Sequence, residues 1–84
     1  MSKTEKNKHI INVMNERIEK RGYKGKLEFD PIPNTFKRRN HFTTKADGTG
    51  VFTGFLWQMN NLSDAELLTD IDGRINEAVR HFKL

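Results

Sequence analysis

Apolar residues near the start of the chain recur every three or four positions, which is the spacing of one helix face. This stripe consists of Ile10, Ile11, Met14 and Ile18. Ser2 stands three residues before Glu5, as in a capping box at a helix start. Gly22 follows two cations, which is typical of a helix end. The pattern predicts a helix from about Thr4 to Arg21.

A second helical stripe occupies the C-terminal part of the sequence. Its members are Leu67, Leu68, Ile71, Ile75, Ala78, Val79 and Phe82. Ser63 and Glu66 form a capping box directly before the stripe. We therefore expect a second amphipathic helix that begins after Ser63.

Strand signals lie between the two helices. Residues 26–29 alternate between polar and apolar, which predicts a short strand. Pro31 and Pro33 lack a backbone N–H, so this strand should end at Asp30 or lie at a sheet edge. Further along, Asp47 and Gly48 form a hairpin turn signal within a run rich in Thr, Phe and Val. We expect a β-hairpin over about 36–59. Its second strand is apolar on both faces, which predicts a central position in the sheet.

The register of this hairpin decides which side chains share a face. A two-residue turn at Asp47 and Gly48 places Phe55 and Trp57 on the face of Phe42. A three-residue turn that includes Ala46, with Gly48 in a left-handed bulge, places them beside the basic residues of the first strand instead. Both alternatives fit the sequence.

These elements predict the α+β class. We expect an N-terminal helix, a small antiparallel sheet of two or three strands that contains the hairpin, and a C-terminal helix, with both helices on one face of the sheet. The predicted core consists of Ile10, Ile11, Met14, Ile18, Phe36, Phe42, Leu67, Leu68, Ile71, Ile75, Val79 and Phe82.

The composition narrows the class of protein. The 84 residues predict one small α+β domain over 1–84. The absence of cysteine excludes disulfides, thiolate zinc sites and thiol nucleophiles. No apolar run approaches the roughly 20 residues of a membrane span, and the first residues lack an apolar signal core. We therefore expect a cytoplasmic protein with no membrane partner.

Residues suited to catalysis or to metal binding are few. The two serines, Ser2 and Ser63, are explained as helix caps. His9, His41 and His81 lie on three different predicted elements, with no spacing typical of metal ligands. We expect no enzymatic activity, no cofactor and no metal site.

Charge is distributed unevenly along the chain. Residues 1–45 carry twelve Lys and Arg against five acids, a net of +7, whereas residues 46–84 carry three against six, a net of −3. In the first hairpin strand, alternate cations fall on one face, opposite Phe36 and Phe42. The candidate nucleic-acid-binding residues are Lys37, Arg38, Arg39, His41 and Lys45 from the hairpin, and Lys20, Arg21, Lys24 and Lys26 from the end of the first helix and beyond. Such asymmetry favours a polyanionic partner.

The order helix, three strands, helix is similar to that of double-stranded-RNA-binding domains. That family carries a lysine cluster at the start of its second helix. Here that helix opens with Ser63-Asp64-Ala65-Glu66, which would repel phosphate. The similarity therefore extends to topology and not to binding residues.

Two functions follow as hypotheses. The first is a small, basic, non-catalytic accessory protein that binds DNA or RNA through a cationic hairpin face. The second is a protein-interaction module, an inhibitor or adaptor that docks on a larger complex, of a kind that mobile elements carry. Its interface would be the acidic face of the second helix or the hairpin edge. We also expect that an open edge, formed by the first basic strand or by residues 26–29, can pair with a second copy to give a homodimer.

Overall fold

The structure, a computed structural model, describes residues 2–32 and 40–84. Its elements are α1 (Lys3–Lys20), β1 (Leu27–Pro31), β2 (His41–Ala46), β3 (Thr49–Phe55), α2 (Leu56–Met59) and α3 (Asp64–Phe82). The predicted α+β architecture is confirmed. The predicted core residue Phe36 and the predicted binding residues Lys37, Arg38 and Arg39 lie outside the described residues.

The two long helices form where the apolar stripes and caps predict them. The Ser2 hydroxyl accepts a hydrogen bond from the Glu5 backbone N–H, and Ser63 and Glu66 form the complete capping box of α3. The buried stripe of α1 is the predicted one. In α3 the prediction is wrong for Leu68, whose side chain is 42% exposed. Leu67 and Ile71 lie four residues apart on the buried face, and Leu68 lies about 100° around the helix from Leu67.

Both helices cover one face of the sheet. The strands are antiparallel in the order β1-β2-β3. Buried side chains from the sheet and the helices form a single cluster, to which the partly buried Val79 and Phe82 add contacts. The sheet contributes Leu27, Phe29, Phe42 and Ala46 to this cluster. The other face of the sheet, called the outer face below, carries the alternate side chains of each strand.

A bulge beside the hairpin turn fixes the register of β2 and β3. The backbone φ is 52° at Asp47 and 76° at Gly48, as in a two-residue type I′ turn. Ala46 pairs with Thr49, but Lys45 pairs with Val51, so Gly50 has no partner in β2. This extra residue shifts the pleat by one position. The turn therefore has two residues. Phe55 nevertheless lies on the face of the basic side chains of β2, as the three-residue alternative predicts.

Two features of the predicted hairpin are corrected. Its second strand ends at Phe55, and residues 56–59 form the short helix α2 instead of continuing the strand. Leu56 and Met59 are both buried, and a separation of three residues points them the same way in a helix but to opposite faces in a strand. β3, whose apolar pattern is typical of a central strand, lies at an edge, because β1 pairs with β2.

The position of β2 also corrects the expected dimer edges. β2, the strand that carries His41 and Lys45, is central and offers no open edge. β1 is an edge strand, but the Asn15 side chain of α1 forms hydrogen bonds with the backbone N–H and C=O of Phe29. Asn15 Nδ2 donates to the Phe29 carbonyl at 2.9 Å, and the Phe29 N–H donates to Asn15 Oδ1 at 3.1 Å. The amide thus pairs with β1 as a neighbouring strand would.

Candidate binding surface

The outer face combines exposed apolar, polar and charged side chains from all three strands. β1 contributes Glu28 and Asp30, β2 contributes His41, Thr43 and Lys45, and β3 contributes Val51, Thr53 and Phe55. Trp57 is the second residue of α2, the helix that follows β3 directly. Because the shifted register pairs His41 with Phe55 and Lys45 with Val51, aromatic and basic side chains meet on this face.

An aromatic cluster lies at one end of the outer face. The ring centroids of His41 and Phe55 are 4.8 Å apart, and those of Phe55 and Trp57 are 5.9 Å apart. Phe55 is 39% exposed and Trp57 is 51% exposed, while Val51 in the same strand is 58% exposed. Large apolar side chains grouped in this way on a surface typically mark a binding site.

The charges of the outer face are partly neutralised at its β1 side. Lys45 Nζ lies 3.1 Å from Asp30 Oδ2, and Glu28 stands opposite Lys45 in the register. A hydrogen bond with Asp30, together with the charge of that carboxylate, raises the pKa of Glu28. The two carboxylates therefore share one cation, and the β1 side of the face is the acidic side.

The second group of predicted binding residues is divided by the structure. Lys24 and Lys26 line a cleft of about 440 Å³ together with Lys45, and Glu19 and Glu28 lie in the same cleft. Lys24 Nζ is 3.2 Å from Glu19 Oε1. Lys26 is exposed. The structure thus brings two of these lysines close to the outer face.

The other two members of that group are not brought to this cleft. Lys20 is exposed on the last turn of α1, and the Arg21 guanidinium donates to the Asn76 side chain of α3. Arg21 therefore acts as a link between the helices. The predicted residues Lys37, Arg38 and Arg39 directly precede Asn40 in the sequence and lie outside the described residues.

A network of asparagines holds the start of β2 and was not predicted. Asn7 Nδ2 donates to Asn40 Oδ1 at 2.7 Å, and Asn60 Nδ2 donates to Asn7 Oδ1 at 3.3 Å. The Leu56 N–H donates to the Asn40 carbonyl at 2.6 Å. Asn40 has φ of 60°, a left-handed conformation that asparagine tolerates better than most residues. These bonds fix the residue next to His41 against α1 and the chain around α2.

Within residues 2–32 and 40–84, no group of three or more His, Asp or Glu side chains is arranged to hold a metal ion. None of the helices in those residues is long and apolar enough to span a membrane. Comparison with protein-family models, with curated protein sequences and with solved structures finds no match to this chain.

Proposed function

We propose that the outer face binds single-stranded nucleic acid, with no catalytic step. The observation that carries this proposal is the shared face of Phe55, His41 and Lys45, which follows from the bulge at Gly50. The Trp57 ring, in α2, lies against Phe55 at the end of this face. Unpaired bases stack on exposed aromatic rings, and cations beside the rings contact the phosphates. A surface of this composition suits that mode better than it suits a paired duplex, whose bases are already stacked.

The distribution of charge supports one path for the strand across this face. Glu28 and Asp30 would repel phosphates at the β1 side, so the nucleic acid would follow β2 and β3. Lys24, Lys26 and Lys45 lie together beside the turn end of these strands. In the sequence, the basic run Lys37, Arg38 and Arg39 precedes the first residues of β2, whereas the turn follows its last residue. The formal net charge of +4 favours association with a polyanion in general.

Trp57 allows a direct test, because it is the only tryptophan of the chain. We expect unlabelled oligothymidylate to quench its fluorescence at low salt. In anisotropy titrations with a labelled single strand, Trp57→Leu and Phe55→Leu should each weaken binding by about fivefold or more, since stacking contributes about 1–3 kcal/mol per base. Leu68→Ala, which alters an exposed apolar side chain of α3, is the matched control and should bind as the parent does.

The basic run before β2 offers a second readout. Arg39→Ala should weaken binding to many sequences alike and flatten the plot of log affinity against log salt by about one phosphate contact. Absence of binding by the parent at low salt, or aromatic variants that bind as tightly as the parent, would contradict the proposal. Parallel titrations with DNA and RNA strands and with a duplex identify the preferred nucleic acid.

A protein-interaction module remains the second candidate, favoured by a specific observation. The apolar patch of Val51, Phe55 and Trp57 shares its face with the carboxylates Glu28 and Asp30. Apolar side chains at one margin of the face and carboxylates at the other are complementary to a protein surface with an apolar part and a basic part. A pull-down with and without nuclease separates the two candidates. Capture of a protein that survives nuclease and is lost in Trp57→Leu supports the second.

A further inference from the structure

The two edges of the sheet differ in how they are protected. β1 carries Glu28 and Asp30, ends at Pro31, and has the main chain of Phe29 paired with Asn15. Charges, prolines and covering groups of this kind prevent a sheet from pairing with another strand. β3 reads Thr-Gly-Val-Phe-Thr-Gly-Phe over seven residues, with no charge and no proline. Its one irregularity, the bulge at Gly50, lies next to the turn and leaves residues 51–55 in regular register.

The hydrogen-bond pattern shows which groups of β3 point away from the sheet. The Asp47 N–H donates to the Lys26 carbonyl, and the Ile32 N–H donates to the His41 carbonyl, so odd-numbered residues of β2 bond to β1. In an antiparallel ladder the even-numbered residues of β2 then bond to β3, where their partners are Thr49, Phe52 and Gly54. The N–H and C=O groups of Val51 and Thr53 and the N–H of Phe55 therefore point outward at the edge, whereas the Phe55 carbonyl belongs to the N-cap of α2.

We infer that a second copy of this chain pairs antiparallel with β3, with the two Thr53 residues opposite each other on a twofold axis. This register pairs the N–H and C=O groups of the two Thr53 residues with each other, and the Phe55 N–H of each copy with the Val51 carbonyl of the other. On the outer face, Val51 stands opposite the partner's Phe55, an aromatic and β-branched cross-strand pair.

Charge and self-complementarity favour a second copy over an unrelated strand. The chain carries a formal net charge of +4, so two copies repel each other wherever their charged surfaces meet. β3 is a segment where this repulsion is absent, because none of its seven residues is charged. A twofold interface also requires each patch to complement itself, and the pairing of Val51 with Phe55 on either side of the axis meets that requirement.

The inferred dimer has a six-stranded sheet with the four long helices on one side and both outer faces on the other. The paired part of each strand, residues 51–55, is about 17 Å long at about 3.4 Å per residue. One strand pair buries less surface than most permanent dimers. We therefore expect a dimer that dissociates on dilution. The inference concerns the edge of β3 and stands independently of what the outer face binds.

Sedimentation velocity on the full chain without nucleic acid tests the inference. The parent should shift from monomer to dimer between about 10 μM and about 1 mM. Thr53→Lys and Thr53→Glu each place like charges opposite one another across the axis and should raise the dimer dissociation constant at least about tenfold. Thr53 is exposed, so circular dichroism should show both variants folded. Asn12→Lys adds the same charge to an exposed site on α1 and should dimerise as the parent does.

Mixing the two charged variants tests the register itself. An equimolar mixture of Thr53→Lys and Thr53→Glu should form a dimer at concentrations where each variant alone is monomeric, because Lys then faces Glu across the axis. A parent that stays monomeric throughout, a Thr53→Lys variant that dimerises like the parent, or a mixture that stays monomeric would each overturn the inference. Because Thr53 lies on the outer face, oligonucleotide binding is measured on the parent and on the Trp57→Leu variant, so the failure of one proposal is distinct from the failure of the other.

Discussion

The ring of Phe42 lies directly against the backbone of Gly54, its cross-strand partner. A Cβ atom built on Gly54 would come within 2.2 Å of Phe42 Cζ and within 2.8 Å of two further ring carbons. Phe42 is buried and also packs edge-on to Phe29, with ring centroids 5.5 Å apart. The glycine therefore provides the space in which a central core ring sits.

Replacing this glycine should strain the core. We expect Gly54→Ala to lower the free energy of unfolding by about 1–3 kcal/mol, because the Phe42 ring must move within a packed interior. Urea denaturation followed by circular dichroism measures the change.

The same substitution at another glycine is the control. Gly73 lies inside α3 with nothing within 4 Å of a Cβ built on it, so Gly73→Ala should raise the free energy of unfolding by up to about 1 kcal/mol. Equal effects of the two alanines would show that Phe42 does not depend on the space at Gly54.

The Asn15 amide should be essential to the β1 edge. Asn15→Ala removes both partners of the Phe29 main chain and should lower the free energy of unfolding by about 1–3 kcal/mol. Hydrogen exchange should show faster exchange of the Phe29 amide. Asn12→Ala changes an exposed asparagine of the same helix and should alter stability by less than about 0.5 kcal/mol. An unchanged Phe29 amide in Asn15→Ala would contradict this role.

Local signals account for the parts of the fold that the sequence predicts. The stripe of α1 and the capping box at Ser63 and Glu66 depend on residues within one or two turns of each other, and both are confirmed. The exposed position of Leu68 shows the limit of this reasoning. An apolar residue beside a stripe is buried only if a neighbouring element covers that flank, and the sequence does not say where α3 meets its neighbours.

The candidate surface depends on long-range pairing, which explains why only part of it is predicted. The sequence allows Phe55 and Trp57 to lie on either face, because one unpaired residue reverses the pleat. The type I′ turn and the bulge at Gly50 together decide it for Phe55. Trp57 lies beyond the pleat in α2, where its ring contacts Phe55. Asp30 and Lys45 are fifteen positions apart in sequence and meet because β1 pairs with β2. No local pattern marks that ion pair.

A bidentate ion pair between the two long helices should make stability depend on pH. Arg17 Nε and Nη2 donate to the two carboxylate oxygens of Asp72 at 2.6 and 2.7 Å, and these bonds hold the pKa of Asp72 below its ordinary value of 3.8. A lowered pKa in the folded state gives stability that is fully present above the ordinary value. It is lost as the pH falls through the lowered pKa.

Thermal unfolding from about pH 7 to about pH 2 measures this contribution. The parent should melt at a higher temperature than Asp72→Asn at neutral pH, and the difference should vanish at the acid end. Arg17→Met should lose the same pH-dependent increment, since Asp72 then titrates near its ordinary value. A difference between parent and Asp72→Asn that stays constant down to the lowest pH would contradict the assignment.

Asp30 should restrain nucleic-acid binding by the outer face. Its carboxylate holds Lys45 Nζ at 3.1 Å and also raises the pKa of Glu28. Asp30→Asn removes one negative charge from the face and releases the Lys45 ammonium for a phosphate contact. If the face binds single strands, affinity at low salt should rise several-fold, and the salt dependence should steepen by about 0.7 for one added phosphate contact.

The control for Asp30→Asn must also remove one negative charge, but at a site away from the outer face. Asp64→Asn does so in the first turn of α3, which packs on the opposite face of the sheet. If affinity for the single strand rises in Asp30→Asn and not in Asp64→Asn, the effect arises at the outer face. A general effect of net charge would raise the affinity of both variants. If the face instead binds a basic protein surface, Asp30→Asn should weaken capture of that protein and leave oligonucleotide binding absent. The two candidate functions thus predict opposite changes from one carboxylate, and titration of both variants against a single strand distinguishes them.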